Sequence, residues 1–433
     1  TFVKACLSAG INAEVIDPEE AKRMEPSVNP TLIGAVKVPD GSVDPFRLCA
    51  SNVFDAKIHG AKVLVYSEVI EFIKEQDTIK GVKVLDHHTG IVTDYHAPVT
   101  VNAGGIWGHH IAQMAGANIS MFPAKGALLI FAHRVNSVVI NRCRKPANAD
   151  ILVPGDTVCV IGTTSTRVPY EECDHLKVTP DEVDLLLTEG AKLAPCLAET
   201  RVLRAYAGVR PLVSADNDPS GRNISRGIVC LDHESRDGIK GFISITGGKL
   251  MTYRLMGEMA ADAVCKKLGR DAKCVTADTP LPGSEPGGIE EISKKIWEVP
   301  TMVQKASVGR FGTQAANLDF DGDVKGSLVC ECEEVSVSEV DSAIENLEVN
   351  NLVDLRRRTR FGMGTCQGEL CACRAAGRLA KARKCTSKAR ADLKDFMNER
   401  WKGMYPVAWG ETLRESAYTQ WVYSEVMGLG EEI

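Results

Sequence analysis

Gly241-Phe-Ile-Ser-Ile-Thr-Gly-Gly-Lys-Leu-Met-Thr-Tyr-Arg254 is the stretch that decides the fold class of this 433-residue chain. Its first half is rich in β-formers and predicts a strand, Gly247-Gly248 predict a turn, and Lys249 to Leu268 has a Met and Leu face that predicts a helix. The first N–H groups of a helix are unpaired and carry partial positive charge, and glycines let a backbone approach a flat ring. The stretch therefore predicts an α/β fold with a ligand site at this turn, although a Gly-Gly turn alone also suits an ordinary strand–helix junction.

Two other segments have features that suit the same ligand site. Val101-Asn-Ala-Gly-Gly-Ile-Trp-Gly108 predicts a strand that ends in a turn of small residues, which lets the chain pass close to a dinucleotide. Ala207-Gly-Val-Arg-Pro-Leu212 holds Arg210 at a strand end beside a rigid proline, which suits an anionic substrate. Each segment alone also suits an ordinary turn or an ion-paired arginine, so the prediction depends on their occurring together.

The remaining pattern is a mixture of strands and helices. Thr179-Pro-Asp-Glu182 predicts the start of a helix, with Thr179 as N-cap and Glu182 at the third helical position. A Pro- and Gly-rich stretch at 277–288 reads as a linker and predicts a domain boundary near 275–290. Further predicted elements are strands at 63–70, 81–85, 202–213 and 228–232, and helices near 106–116 and in 289–320.

The cysteines are unevenly distributed, with six of the fifteen between Cys330 and Cys385. Cys330-Glu-Cys332 is followed after 33 residues by Cys366-Gln-Gly-Glu-Leu-Cys371, so two close pairs can supply four thiolates. Four thiolates suit an iron–sulfur cluster or a soft metal ion, whereas structural zinc pairs are usually spaced two to four residues apart. We therefore favour a cluster and keep zinc as the alternative. Cys373 is either a substitute ligand or a buried thiol, and we expect Cys385 to be free.

Four arginines, at 356, 357, 358 and 360, precede the second cysteine pair. A basic run is usually a solvated face or a nucleic-acid patch. The chain as a whole has a formal charge of −6, which gives no support to nucleic acid as a partner. Because the cysteines are so close, we favour a counter-charge or partner-docking role for these arginines.

The unit at 326–380 resembles the bacterioferritin-associated-ferredoxin-like 2Fe–2S domain, on the strength of its C-x-C and C-x4-C pairs and Gly364-Thr-Cys-Gln-Gly368. The resemblance implies that Cys330, Cys332, Cys366 and Cys371 bind a 2Fe–2S cluster.

The three segments described first, with Ile161-Gly-Thr-Thr164, resemble the FAD-dependent glycerol-3-phosphate dehydrogenase family of the D-amino-acid-oxidase-like flavoproteins. The cluster unit and the tail segments Glu399-Arg-Trp-Lys-Gly403 and Ala408-Trp-Gly410 resemble its anaerobic branch. The resemblance covers nearly the whole chain. It implies an α/β (α+β) flavin oxidoreductase, a small helical 2Fe–2S domain and a helical tail.

The activity implied by the resemblance is oxidation of sn-glycerol 3-phosphate to dihydroxyacetone phosphate, with hydride passing to FAD and electrons then passing through the 2Fe–2S cluster to partner subunits and quinone. It implies that Arg210 acts at the reacting hydroxyl, that Lys249 lies beside substrate and flavin, and that Arg226 holds the phosphate. Thr163 and Thr164 would line the substrate pocket. The implied flavin contacts are Val69, Ala103, Gly104, Trp107, Gly247, Gly248, Leu250, Met251 and Thr252.

One departure concerns the start of the chain. The family begins with a βαβ unit whose G-x-G-x-x-G holds the FAD pyrophosphate, whereas this sequence starts at Thr1 and contains no G-x-G-x-x-G. We therefore expect an N-terminally truncated chain that is inactive alone. Two alternatives stay open, a flavin dehydrogenase of another 2-hydroxy acid or an amino acid, and a non-enzymatic electron-transfer module.

The sequence predicts four parts: an oxidoreductase domain at 1–275, a linker and helical region at 276–325, the cluster domain at 326–385 and an aromatic-rich tail at 386–433. Its 44% hydrophobic and 25% charged residues are typical of globular proteins, and no apolar run approaches a membrane span. We expect a cytoplasmic protein, peripheral at the inner face of the cell membrane through partner subunits.

Overall fold

The computed structural model describes residues 1–213, 227–322 and 324–430. Its mixed α/β composition confirms the predicted fold class. The strands are β1 Glu14–Ile16, β2 Ala35–Lys37, β3 Ser67–Glu75, β4 Thr78–Asp86, β5 Val92–His96, β6 Thr100–Asn102, β7 Met121–Phe131, β8 Ile140–Asn141, β9 Ile151–Pro154, β10 Cys159–Gly162, β11 Thr166–Arg167, β12 Val202–Val213, β13 Ile228–Asp232, β14 Phe242–Gly247, β15 Leu328–Cys330 and β16 Val335–Ser336. The helices are α1 Phe2–Ser8, α2 Pro18–Met24, α3 Pro45–Ile58, α4 Gly108–Ala115, α5 Pro180–Ala191, α6 His233–Asp237, α7 Tyr253–Lys267, α8 Ile289–Ile296, α9 Met302–Phe311, α10 Val337–Asn346, α11 Leu352–Thr359, α12 Ala372–Arg383, α13 Ala389–Met404 and α14 Gly410–Trp421.

The largest sheet is built around β7, which pairs with β10, β11 and β12, all antiparallel. Strands β9 and β8 extend the sheet beyond β10. Its core packs Leu129 of β7 and Ile161 of β10 against Leu186 of α5, all fully buried. The pairing of β12 with β7 places Arg210 opposite Ala124, so this long ladder sets the position of the predicted site arginine.

A smaller sheet has the order β13-β14-β6, in which β14 and β6 are parallel and β13 is antiparallel. A third sheet, β3-β4-β5, packs beside it through Phe72, whose ring lies edge-on to Phe242 of β14. The parallel pair matters for function because it brings the two glycine-rich segments predicted from sequence to neighbouring strands.

Several predicted boundaries agree with the structure. The predicted strands at 202–213 and 228–232 are β12 and β13, and Thr179 with Glu182 forms the predicted capping box of α5. Two boundaries were wrong. The strand predicted from Val63 begins only at Ser67, because Tyr66 has a φ of +53° and bends the chain. The helix predicted from Lys249 begins at Tyr253, because Lys249 is extended and a 3-10 turn intervenes.

The tail packs on its own chain. Val407, just after α13, lies in the core of the large sheet, whereas Phe396 of α13 and Tyr423 lie in the core of the cysteine-bearing unit. The hydroxyl of Thr412 donates a 2.6 Å hydrogen bond to the carbonyl of Val202. The tail therefore joins the two cores. Its other rings are more than a third exposed, namely Trp401, Tyr405, Trp409, Tyr418 and Trp421.

Across the described ranges we found no helix with the length and apolar character that a membrane crossing requires.

Candidate functional site

The two glycine-rich segments meet at one edge of the smaller sheet. Val101 of β6 is opposite Ile243 of the parallel strand β14, and Asn102 is opposite Ser244. Ligands of open α/β sheets bind beyond the carboxyl ends of parallel strands. The turn at 103–104 and the turn at 247–248 both follow such ends, so the structure brings these predicted flavin contacts to one place.

A buried polar network fixes the turn that follows β6. Asn102 accepts a hydrogen bond from the Gly104 amide at 3.1 Å and donates to the Gly108 carbonyl at 2.8 Å. Its Nδ2 also donates to Ser244 Oγ, which is hydrogen-bonded at 2.8 Å to the fully buried ring of His233. Burying so many polar groups is tolerable because each has a partner. The network holds Ala103 and Gly104 in a defined geometry.

The turn after β14 requires its glycines. Gly247 and Gly248 have φ values of +76° and +69°, the left-handed region that disfavours side chains. A Cβ on Gly248 would lie 2.6 Å from the sulfur of Met256, and its amide donates to the Gly227 carbonyl at 3.1 Å. The predicted tight turn is confirmed.

Arg210 projects from β12 to the end of β10. Its Nη2 donates a 2.6 Å hydrogen bond to Thr163 Oγ1 and a longer one, 3.4 Å, to the Thr164 carbonyl. Gly126 on the neighbouring strand leaves the room, because a Cβ there would lie 2.5 Å from Arg210 Nη2. The structure therefore brings together three residues that the sequence placed in the substrate pocket.

The Thr164 side chain faces a buried charged pair. Its hydroxyl accepts from the Ala127 amide at 2.9 Å and donates to Glu182 at 3.1 Å. Glu182 also pairs with Lys125 at 2.8 Å, and both side chains are nearly buried. The sequence identified Glu182 only as a capping residue and did not identify Lys125. The capping pattern in the sequence indicates the position of Glu182 at the start of α5. No local pattern indicates that Glu182 also pairs with Lys125.

The other predicted residues have varied surroundings. Lys249 is exposed and extended, and its amide bonds the Thr252 hydroxyl at 2.9 Å. Trp107 donates from its indole to Asp174 at 2.9 Å. Val69 lies on β3 opposite Val84. Arg226 lies outside the described residues, next to Gly227.

The turn after β14 also carries exposed apolar side chains, which suit contact with a flavin. Leu250 is 50% exposed and Met251 79%, and Trp107 across the sheet edge is nearly half exposed. Apolar side chains presented together at strand ends are typical of a ligand-binding surface. The sequence predicted these three residues as flavin contacts, whereas it contains no G-x-G-x-x-G for the flavin pyrophosphate.

The four predicted cluster cysteines lie close together. The sulfurs of Cys332 and Cys366 are 3.7 Å apart, and the thiols of Cys330, Cys366 and Cys371 are near enough to shift one another's pKa values. The Cys332 and Cys371 thiols lower the pKa of Cys366 below its usual value, and the amides of Leu370 and Gly368 lower it further. Backbone N–H groups therefore point at sulfur, as expected for loops that hold thiolates.

This donor set fits a 2Fe–2S cluster. Two thiolates bound tetrahedrally to one ion at about 2.3 Å lie about 3.8 Å apart, which matches the Cys332–Cys366 separation. Gly364 allows the close approach, because a Cβ there would lie 2.4 Å from that of Cys332. Zinc would hold two thiolates at the same separation, and the family match given below favours the cluster.

The arginine run is not a solvated face. Arg356 is buried and donates at 3.2 Å to Gln367, which follows the predicted ligand Cys366. Arg360 joins the cluster unit to the oxidoreductase part, because it pairs with Glu333 at 2.8 Å and with Asp44 at 2.9 Å. Arg357 alone is exposed. The sequence could not separate these roles.

These two sites define the class of protein, a flavin-dependent oxidoreductase that carries an iron–sulfur domain. The family model described as FAD dependent oxidoreductase matches residues 2–254, and the BFD-like 2Fe-2S binding domain matches residues 328–379. The cofactors are therefore FAD and a 2Fe–2S cluster, as predicted.

Curated relatives narrow the class. The chain is 58% identical over 432 residues to the A subunit of the anaerobic glycerol-3-phosphate dehydrogenase of Haemophilus influenzae, covering 100% of this chain and 77% of the relative. The corresponding Escherichia coli K12 protein is 59% identical, with 100% and 80% covered, and the A1 protein of Haloferax volcanii is 38% identical, with 99% and 74% covered. The chain belongs to the family of anaerobic glycerol-3-phosphate dehydrogenase A subunits and is a dehydrogenase.

A solved structure supports the fold. The glycerol-3-phosphate dehydrogenase of Bacillus halodurans, solved with FAD, matches with a TM-score of 0.71 at 21% identity, covering 93% of this chain and 84% of that one. It confirms the oxidoreductase architecture predicted from the glycine-rich segments.

Proposed function

We propose that this chain oxidises sn-glycerol 3-phosphate to dihydroxyacetone phosphate. The observation that carries the proposal is the Arg210–Thr163 pair at the edge of the large sheet, in a chain whose relatives of 58–59% identity are named for this activity. FAD supplies the hydride acceptor when it is bound.

Arg210 holds the reacting end of the substrate in this proposal. Its guanidinium is always charged and donates in a fixed plane, so it polarises the C2 hydroxyl and favours loss of its proton. Thr163 orients that guanidinium through the 2.6 Å hydrogen bond. Lys249 adds positive charge beside substrate and flavin. Arg226 is proposed to bind the phosphate, since arginine is well shaped for bidentate phosphate contacts.

The proposal also includes the exit of electrons from this chain through the cysteine unit. The 2Fe–2S cluster supplies one-electron transfer when it is bound. The relatives are named as subunits, and we propose that partner subunits accept the electrons and pass them to quinone. Attachment to the inner face of the cell membrane would then occur through those partners, and the exposed tail rings are our candidate docking surface.

The test uses the protein expressed from its complete gene and loaded with FAD. Anaerobic addition of sn-glycerol 3-phosphate should bleach the visible absorbance of the oxidised flavin, whereas glycerol, lactate and alanine should not. The Arg226→Ala variant should raise KM strongly for the phosphorylated substrate. An unbleached flavin, or equal reduction by lactate or alanine, would overturn the substrate assignment.

A further inference from the structure

Three arginines from three separate segments are buried near the cysteine unit. Arg204 of β12 is 7% exposed, Arg356 of α11 is 8% exposed and Arg400 of α13 is 4% exposed. Each keeps a buried nitrogen without a hydrogen-bond partner in the part of the chain that the structure describes: Arg204 Nη1, Arg356 Nε and Arg400 Nε. Buried guanidinium groups are ordinarily paired, so these three call for an explanation.

Few carboxylates pair directly with these arginines. Glu399 is the only carboxylate of the described ranges within 4.0 Å of any of the three, at 3.5 Å from Arg204 Nη2. The remaining contacts are to neutral groups. Arg356 donates to Gln367 at 3.2 Å, and Arg400 donates to the Thr419 hydroxyl at 3.3 Å.

The three charges are close enough to affect one another and the cysteines. Burial lowers the pKa of Arg356 well below its ordinary value and Arg204 lowers it further, whereas Glu399 and the Cys371 thiolate raise it. Burial also lowers the pKa of Arg400, which Glu369, Glu415 and the Cys366 thiolate raise. The negative groups that face this cluster of arginines therefore include two of the four cluster ligands.

We propose that Arg204, Arg356 and Arg400 are the counter-charge of the 2Fe–2S cluster and raise its reduction potential. A cluster held by four thiolates is negatively charged, and reduction adds one more negative charge. Fixed positive charges in a buried, weakly screened site stabilise the reduced form more than the oxidised form. This role depends only on the presence of the cluster and not on the substrate that reduces the flavin.

The test is a redox titration of the holoenzyme, without substrate, that follows the electron paramagnetic resonance signal of the reduced cluster. For Arg356→Gln we expect at least a tenfold lower ratio of reduced to oxidised cluster at a fixed potential, which is about a 59 mV negative shift for one electron. Arg356→Lys keeps the charge and should stay near the wild-type potential. The matched control is Arg383→Gln, because Arg383 lies in the cluster domain and is already paired with Asp392 of the tail.

Two results obtained with the cluster retained would overturn the proposal. One is an Arg356→Gln protein with full iron content and the wild-type potential. The other is an Arg356→Lys protein that shifts as far as Arg356→Gln, since the role would then be packing. If Arg356→Gln fails to retain the cluster, Arg204→Gln and Arg400→Gln are titrated in its place, and iron content is compared with that of Arg356→Lys. Retention of iron by the lysine variant supports the charge role, and loss in both contradicts it.

Discussion

The guanidinium of Arg210 donates a 2.6 Å hydrogen bond to the hydroxyl of Thr163, which joins the end of β10 to β12 across the central strand β7. The two residues are far apart in sequence. Their pairing therefore depends on the register of the β10–β7 and β12–β7 ladders. The sheet therefore determines the proposed catalytic geometry. We expect substitutions of either residue to lower the rate of the reaction.

We expect Thr163→Val to lower kcat/KM for sn-glycerol 3-phosphate by roughly tenfold, because the Arg210 guanidinium loses its orienting acceptor. Arg210→Ala should cost about 100- to 1000-fold, as removal of a charge-stabilising donor does elsewhere. Steady-state kinetics with an artificial electron acceptor measures both. Thr163→Ser keeps the hydroxyl and serves as the control, and equal rates for the Val and Ser variants would contradict the orienting role.

Gly248→Ala should weaken the flavin site. The left-handed φ of +69° costs an alanine about 1–2 kcal/mol, and the new methyl group would press on the Met256 sulfur. We expect a lower melting temperature and looser FAD binding, measured by thermal unfolding and by flavin fluorescence. Gly257→Ala, on α7 with open space around it, is the matched control and should stabilise the helix by up to about 1 kcal/mol.

Cys332→Ser and Cys366→Ser should each abolish the visible absorbance and reduce the iron content of the cluster. The two sulfurs are 3.7 Å apart and both belong to the proposed ligand set. Cys373→Ser is the control, because Cys373 is exposed and lies beyond the four sulfurs. A Cys373→Ser protein that loses iron would show that the ligand set is different.

Glu182→Gln should destabilise the fold by about 3–5 kcal/mol, because Lys125 would remain as a buried charge without its carboxylate. Chemical denaturation followed by circular dichroism measures the loss. Replacing both partners, as Lys125→Met with Glu182→Leu, should cost less than Glu182→Gln alone. If the double variant is less stable than Glu182→Gln, the ion pair itself stabilises the fold, and the cost of Glu182→Gln is not simply that of an unpaired buried lysine.

Glu189 should contribute to the pH dependence of stability. Hydrogen bonds from Lys192 and Arg142 lower its pKa to about 2. A depressed folded-state pKa stabilises the protein above the ordinary pKa of glutamate, about 4.3, and that contribution falls as pH drops toward about 2. Urea unfolding at pH 7 and near pH 3 should therefore show a smaller loss for Glu189→Gln than for wild type, and equal losses would refute the assignment.

The sequence predicted those features that depend on neighbours along the chain. The capping box at Thr179, the bounds of β12 and the glycine turn at 247–248 follow from local backbone chemistry, and all three agree with the structure. The spacing of the cysteine pairs is also a local feature of the sequence, and it predicted a site with four thiolates. The resemblance then supplied the cofactors.

What the sequence could not predict depends on contacts between distant segments. Arg356 and Arg357 are neighbours in a basic run, yet the first is buried against Gln367 and the second is exposed. Arg204 and Arg400 carried no motif at all. The pairing of Lys125 with Glu182 likewise spans 57 positions, and no periodicity within either segment encodes it.

Strand β12 carries Arg204 near one end and Arg210 near the other, six residues apart, or about 20 Å along an extended strand. Its ladder with β7 is continuous between them, so this length cannot change without breaking the sheet. The strand therefore sets the distance between Arg210, at the proposed place of substrate oxidation, and Arg204, beside the iron–sulfur unit. Because the ladder is unbroken between them, Arg210 and Arg204 are held as parts of one strand at a constant separation.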